Sequence, residues 1–99
     1  MNILLVCSAG MSTSLLVTRM LDYAKTKHLE VTIEAHPVSE VENYGKNADV
    51  ILLGPQVRFQ LSNVKRLFPD IPVEIIDMRD YGMMNGEKVL NHVLEIIKK

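Results

Sequence analysis

The sequence predicts a single α/β domain over residues 1–99, an open four-stranded parallel sheet with helices on both faces. Three observations carry that prediction. The runs "NILLVC" (Asn2 to Cys7) and "DVILLG" (Asp49 to Gly54) are apolar without alternation, as strands buried on both faces must be. Segments with helical periodicity separate the strand-like runs. The resulting order, strand then helix four times over, favours parallel pairing, because crossovers between parallel strands are almost always right-handed and place helices against the sheet.

Each element has its own signal. After the first strand, residues 12–27 predict a helix with Leu16, Met20 and Ala24 at i, i+4 and i+8 facing inward and Thr13, Val17 and Leu21 beside them. Arg19, Asp22, Lys25 and Lys27 take its outer face. "VTIEAH" (Val31 to His36) alternates apolar with polar residues, so it reads as an edge strand with one wetter face. Pro37 ends it, and "SEVE" (Ser39 to Glu42) has the spacing of a capping box opening a short helix. The third strand closes at Gly54-Pro55. Residues 56–68 then predict a helix with Val57, Leu61, Val64 and Phe68 inward, stopped by Pro69-Asp70. "PVEIID" (Pro72 to Asp77) is the fourth strand. Asn85 caps a last helix, residues 86–98, with Val89, Leu90, Val93, Leu94 and Ile97 inward and Lys98 and Lys99 at the negative end of its dipole. The two most apolar strands belong at the centre. That gives the order 2-1-3-4, a small flavodoxin-like sheet whose ligands belong at the carboxyl ends of the strands, where the chain reverses between strands one and three.

Composition narrows the function. A net charge of −1 with no clustered basic stretch argues against nucleic acid as partner. No apolar stretch is long enough to insert into a membrane, and "MNILLVCS" reads as a strand rather than a secretion signal. One cysteine cannot form an internal disulfide, and with six methionines it fits a reducing compartment, so the expected location is cytoplasmic. His36 has no second ligand at metal spacing, so neither a metal nor another cofactor is expected.

The cysteine is the informative residue. "CSAGMSTS" (Cys7 to Ser14) places it at the predicted switch point, followed by small residues and the start of a helix. Unpaired N–H groups and the dipole at a helix start favour an anion there. That anion could be the thiolate or a phosphoryl group on the sulfur. Gly10 permits backbone conformations closed to other residues, Ala9 adds no bulk, and Ser8, Ser12, Thr13 and Ser14 add uncharged donors, so the loop could wrap a tetrahedral dianion. The plainer reading makes Cys7 a small buried hydrophobe at a strand end and Ser12 or Thr13 an ordinary helix cap. Residue types alone leave both open.

"CSAGMSTSLLV", "EAHP", "NADVILLGPQV" and "PVEIID...YG", which together span the chain, resemble the enzyme IIB components of the bacterial phosphotransferase system, of the lactose/cellobiose/chitobiose type. The resemblance implies a sugar phosphotransferase in which Cys7 takes a phosphoryl group from a phosphohistidine on a IIA protein. It implies transfer onward to a sugar, a β-linked disaccharide such as cellobiose, held by a membrane IIC protein. Carried over by position, Ser8, Ala9, Gly10, Met11, Ser12, Thr13 and Ser14 form the phosphate cradle, mostly through backbone N–H groups.

Besides a redox thiol protein, for which the chain offers no resolving cysteine, two other classes compete. Low-molecular-weight tyrosine phosphatases use a cysteine, five residues, then arginine and serine. Here Thr13 occupies the arginine position and Arg19 faces outward, so the bidentate clamp is lost. Asp77 or Asp80 could supply an acid, but each is more simply a strand terminator and a solvated carboxylate. A non-catalytic flavodoxin-like binding module would leave Cys7 purely structural. Near the expected site, His36 reads as a surface residue fixed by Pro37. Gln56 could reach a phosphoryl oxygen or cap a helix, and Tyr81 could line the site or pack beneath it. Met11, Met83 and Met84 suit either core filling or an adaptable partner surface.

Overall fold

The computed structural model describes residues 1–8 and 13–98. Its strands are β1 (Asn2–Cys7), β2 (Thr32–Pro37), β3 (Val50–Leu53) and β4 (Val73–Ile75), all parallel, in the order β2-β1-β3-β4. The expected topology and central pair are therefore present. Period-two alternation explains why the central strands are apolar throughout. Ile3 and Leu5 of β1 join Val50 and Leu52 of β3 in one core, while Leu4 and Val6 join Ile51 and Leu53 in the other.

Helices α1 (Ser14–Thr26) and α5 (Gly86–Lys98) cover the first face, inserting Leu16, Met20 and Ala24 from α1 and Val89, Leu90 and Val93 from α5. The second face is covered by α2 (Val41–Tyr44) and α3 (Leu61–Leu67), which contribute Val41 and Val64. As an edge strand, β2 buries Ile33 and leaves Thr32 and Glu34 exposed.

Several boundaries differ from the sequence reading for identifiable reasons. No capping box forms at Ser39, because that residue lies inside a 3-10 turn (Val38–Glu40) whose preceding residue, Pro37, has no capping side chain. The segment after β3 is a 3-10 stretch (Pro55–Gln60) running into α3, not one continuous helix. Val57 leaves helical geometry at φ −117°, ψ 23° so that its side chain enters the core while the chain bends back over the sheet. Strand β4 is shorter than expected because Asp77 starts an additional helix, α4 (Met78–Gly82), accepting hydrogen bonds from the N–H groups of Arg79 (2.9 Å) and Asp80 (3.1 Å). Ile97 is exposed rather than inward, since the last turn of α5 runs past both cores.

Asn85 caps α5 as its position suggests, its Oδ1 accepting from Lys88 N–H at 3.1 Å. Asn85→Ala is expected to lower stability by about 1 kcal/mol, measured by urea unfolding, with an unchanged dependence on denaturant.

Candidate functional site

The site begins where β1 ends. Cys7 sits between the carboxyl ends of β2 and β3, opposite Pro37 in the parallel register, and is 0 % exposed. Ser8 is exposed at the following bend. Four of the expected cradle residues, Ala9, Gly10, Met11 and Ser12, lie outside the described residues. The chain is described again at Thr13, which is also 0 % exposed and is the buried polar side chain among the described residues. Its Oγ1 lies 3.7 Å from the Cys7 sulfur.

That contact bears on the plainer reading. Thr13 holds the N-cap position of α1 but makes no side-chain capping bond; its hydroxyl meets the sulfur instead. Ser14 is exposed and opens α1, its carbonyl accepting from the Thr18 hydroxyl at 3.1 Å. The first turn of α1 contains no acidic residue, so no carboxylate of its own offsets the positive end of the dipole near Cys7. On the opposite side, the carbonyl oxygen of His36 lies 3.9 Å from the sulfur. Cys7 is buried, but among polar neighbours that can hold it through hydrogen bonds rather than by packing alone.

Two of the residues weighed for a phosphatase, Arg19 and Asp77, have other partners. Arg19 donates from Nη1 to the carbonyls of Met83 and Met84, at 3.3 Å each, and so closes the α4–α5 corner. Asp77 is occupied as the N-cap of α4. Thr13 is thus the side chain that stands at the arginine position of the phosphatase pattern, and it is short and uncharged.

Other candidates resolve by packing. Tyr81 is buried in the core shared with α1 and α5, close to Gly54. Gln56 is exposed, its side-chain oxygen folded back over Gly54, and it makes no capping bond. His36 is more constrained than a surface histidine need be. Its ring stacks on Tyr44 with centroids 3.5 Å apart and planes within 4°, and its Nε2 lies 3.1 Å from Glu34 Oε1. Met83 is 65 % exposed, whereas Met84, held at φ 52°, packs partly buried against the core. Met78 and Phe59, which the sequence reading did not single out, are also exposed, and both follow the carboxyl ends of strands. Phe59 falls outside the inward set Val57, Leu61, Val64 and Phe68, and Met78 directly follows the fourth strand, where the sequence predicts no helix.

A groove of about 530 Å³ between β4 and α5 is lined by Ile75, Ile76, Asp77, Lys88, Val89 and His92, among others, and includes none of Cys7, Thr13 and Ser14. Among the described residues, no three His, Cys, Asp or Glu side chains are grouped to hold a metal ion, and no helix is long and apolar enough to cross a membrane.

The comparisons with known proteins agree with one another. Residues 2–92 match the family model described as "PTS system, Lactose/Cellobiose specific IIB subunit". The chain is 41% identical over 98 residues to an oligo-beta-mannoside-specific EIIB component from Bacillus subtilis, covering 97% of this chain and 95% of the relative. It is 42% identical over 95 residues to a cellobiose-specific EIIB component from Lactococcus lactis, covering 89% and 88% of the two chains. A solution structure of a cellobiose-specific phosphotransferase IIB component from Borrelia burgdorferi superposes with a TM-score of 0.82 at 48% identity, covering 99% of this chain and 92% of that one.

Proposed function

The chain belongs to the lactose/cellobiose-specific IIB family of the sugar phosphotransferase system, and on that footing we propose that Cys7 is its phosphoryl carrier. The donor is a phosphohistidine on a IIA protein. The acceptor is a β-linked disaccharide held by a membrane IIC protein, and the exchange takes place in the cytoplasm with residues 1–99 acting as one IIB unit.

In the first step the Cys7 sulfur attacks phosphorus, the S–P bond forms as the P–N bond breaks, and the departing imidazole nitrogen takes the proton given up by the thiol. The second step reverses roles: a sugar hydroxyl oxygen attacks phosphorus, the S–P bond breaks, and the hydroxyl proton returns to the sulfur. Splitting the transfer at a covalent intermediate lets one group serve two partners that need not meet. Ser8 to Ser14 form the cradle for the charged oxygens, with the Thr13 hydroxyl beside the sulfur. A neutral threonine at the arginine position suits a carrier whose intermediate must reach a sugar before water attacks it.

The observation that supports this most directly is the buried Cys7 sulfur at the carboxyl end of β1, 3.7 Å from Thr13 Oγ1 at the entry to α1. The names of the relatives, oligo-beta-mannoside and cellobiose among them, favour a β-linked sugar. Incubation with a phosphorylated IIA protein should add the mass of one phosphoryl group to the intact chain, located at Cys7 by fragmentation. No gain in mass would overturn the carrier reading in favour of a binding module. Turnover of an aryl phosphate with release of inorganic phosphate would favour the phosphatase.

A further inference from the structure

Among the described residues the sulfur of Cys7 is approached from two sides, one of which belongs to the loop and helix start already assigned. The other is the last turn of β2, where the His36 carbonyl oxygen lies 3.9 Å away. An edge strand has a partner on one side only, so its end is free to fray unless side chains hold it. Three contacts do so at His36. Its ring lies flat against Tyr44 of α2, its Nε2 donates to Glu34 of the same strand at 3.1 Å, and its Nδ1 faces Glu40 at 3.8 Å. These join β2, the 3-10 turn and α2 around one imidazole.

We propose that His36 is a positioning residue for Cys7, its clamped ring fixing the end of β2 and so the carbonyl that orients the sulfur. The inference adds to the carrier reading a residue outside the cradle, and its consequence for transfer rests on that reading. Magnitudes indicate which contact dominates. Glu34 and Glu40 are well exposed, with side chains 59% and 46% accessible, so their pairing is weakened by solvent. The stack of two flat faces, with the His36 side chain only 20% accessible, is the more durable restraint. Phenylalanine should therefore replace histidine better than alanine does.

The test uses iodoacetamide as a probe of Cys7 in the free chain, alongside phosphoryl transfer from a phosphorylated IIA protein. His36→Ala and Tyr44→Ala should raise the alkylation rate of Cys7 roughly threefold or more, because thiol reactivity follows access. His36→Phe should remain within about twofold of the parent, since reactivity tracks the sulfur's surroundings rather than the histidine itself. Melting temperatures measured in parallel separate a loosened strand end from global unfolding. With the donor saturating, His36→Ala should transfer roughly tenfold more slowly at an unchanged KM, the signature of a misaligned nucleophile. Parental alkylation rates in both alanine variants would overturn the proposal, as would a His36→Phe variant no better than His36→Ala. A parent chain that accepts no phosphoryl group would defeat the carrier reading instead, and the alkylation comparison would still decide the positioning role.

Discussion

Replacing Cys7 by serine should abolish phosphoryl uptake from a phosphorylated IIA protein while leaving the fold intact. The two side chains are similar in size, and the buried position already offers partners to a hydroxyl in Thr13 Oγ1 and the His36 carbonyl, at 3.7 and 3.9 Å from the present sulfur. Because a C–O bond is shorter than a C–S bond, the serine oxygen reaches these partners only once they shift towards it, so the expected loss of stability is about 1 to 1.5 kcal/mol. Chemistry responds very differently. Serine offers a neutral oxygen where cysteine offers an ionisable sulfur, and a hydroxyl gives up its proton far less readily than a thiol, so it is the weaker nucleophile towards the same donor. Loss of a covalent nucleophile typically lowers the rate by roughly 10⁴-fold or more, which intact-mass measurement would register as no phosphorylation over the reaction time. Any slow labelling that did occur would give a phosphate ester rather than a thiophosphate, and it would not pass to sugar. Serine phosphorylated at the parental rate would show that the sulfur is dispensable.

The largest expected effect on stability is at Gly86, far from this chemistry. Gly86 opens α5 where that helix crosses α1, and a Cβ placed there would lie 2.5 Å from both the carbonyl carbon of Arg19 and the amide nitrogen of Met20. These are backbone atoms, so relief requires the two helices to separate rather than a side chain to rotate. Overpacking of a tight contact costs about 1–3 kcal/mol, and this one belongs at the upper end. The helix-propensity gain from alanine offsets only about 0.5–1 kcal/mol of it. A net loss of about 2 kcal/mol should lower the melting temperature by roughly 8–16 °C for a chain of this size. Gly82→Ala is the control, because a Cβ there meets nothing within 4 Å. Its melting temperature should match or exceed the parent's. Equal behaviour of the two variants would mean that α1 and α5 are not held in this contact in solution.

The contrast between these glycines shows where sequence reasoning stops. "YG" and "NG" are both ordinary turn signals, and nothing in either dipeptide says that one faces space and the other a helix backbone. A similar limit hid α4. "IIDMRD" reads as a strand ending at a carboxylate, but the same Asp77 that ends a strand can cap a helix, and the choice was made by two amide donors at residues 79 and 80. The capping-box pattern at Ser39 failed for the opposite reason: Pro37, bonded into the end of β2, directed the chain into a 3-10 turn before the box could close.

What is local or periodic in this protein was already determined by the order of its residues. Burial on both faces demands apolar side chains at consecutive positions, so β1 and β3 announced themselves, and the alternation of strands and helices left few ways to arrange a parallel sheet. The lone cysteine at the end of a central strand could be recognised in the same way. Tertiary structure alone decided what surrounds that cysteine. The Thr13 hydroxyl turns to the sulfur instead of capping its helix, Arg19 is taken by the carbonyls of Met83 and Met84, and the His36 carbonyl arrives from a strand 29 residues further along the chain. Such contacts join side chains whose sequence neighbours give no sign of one another, and they exist only once packing has brought β2, α1 and the α4–α5 corner to the same end of the sheet.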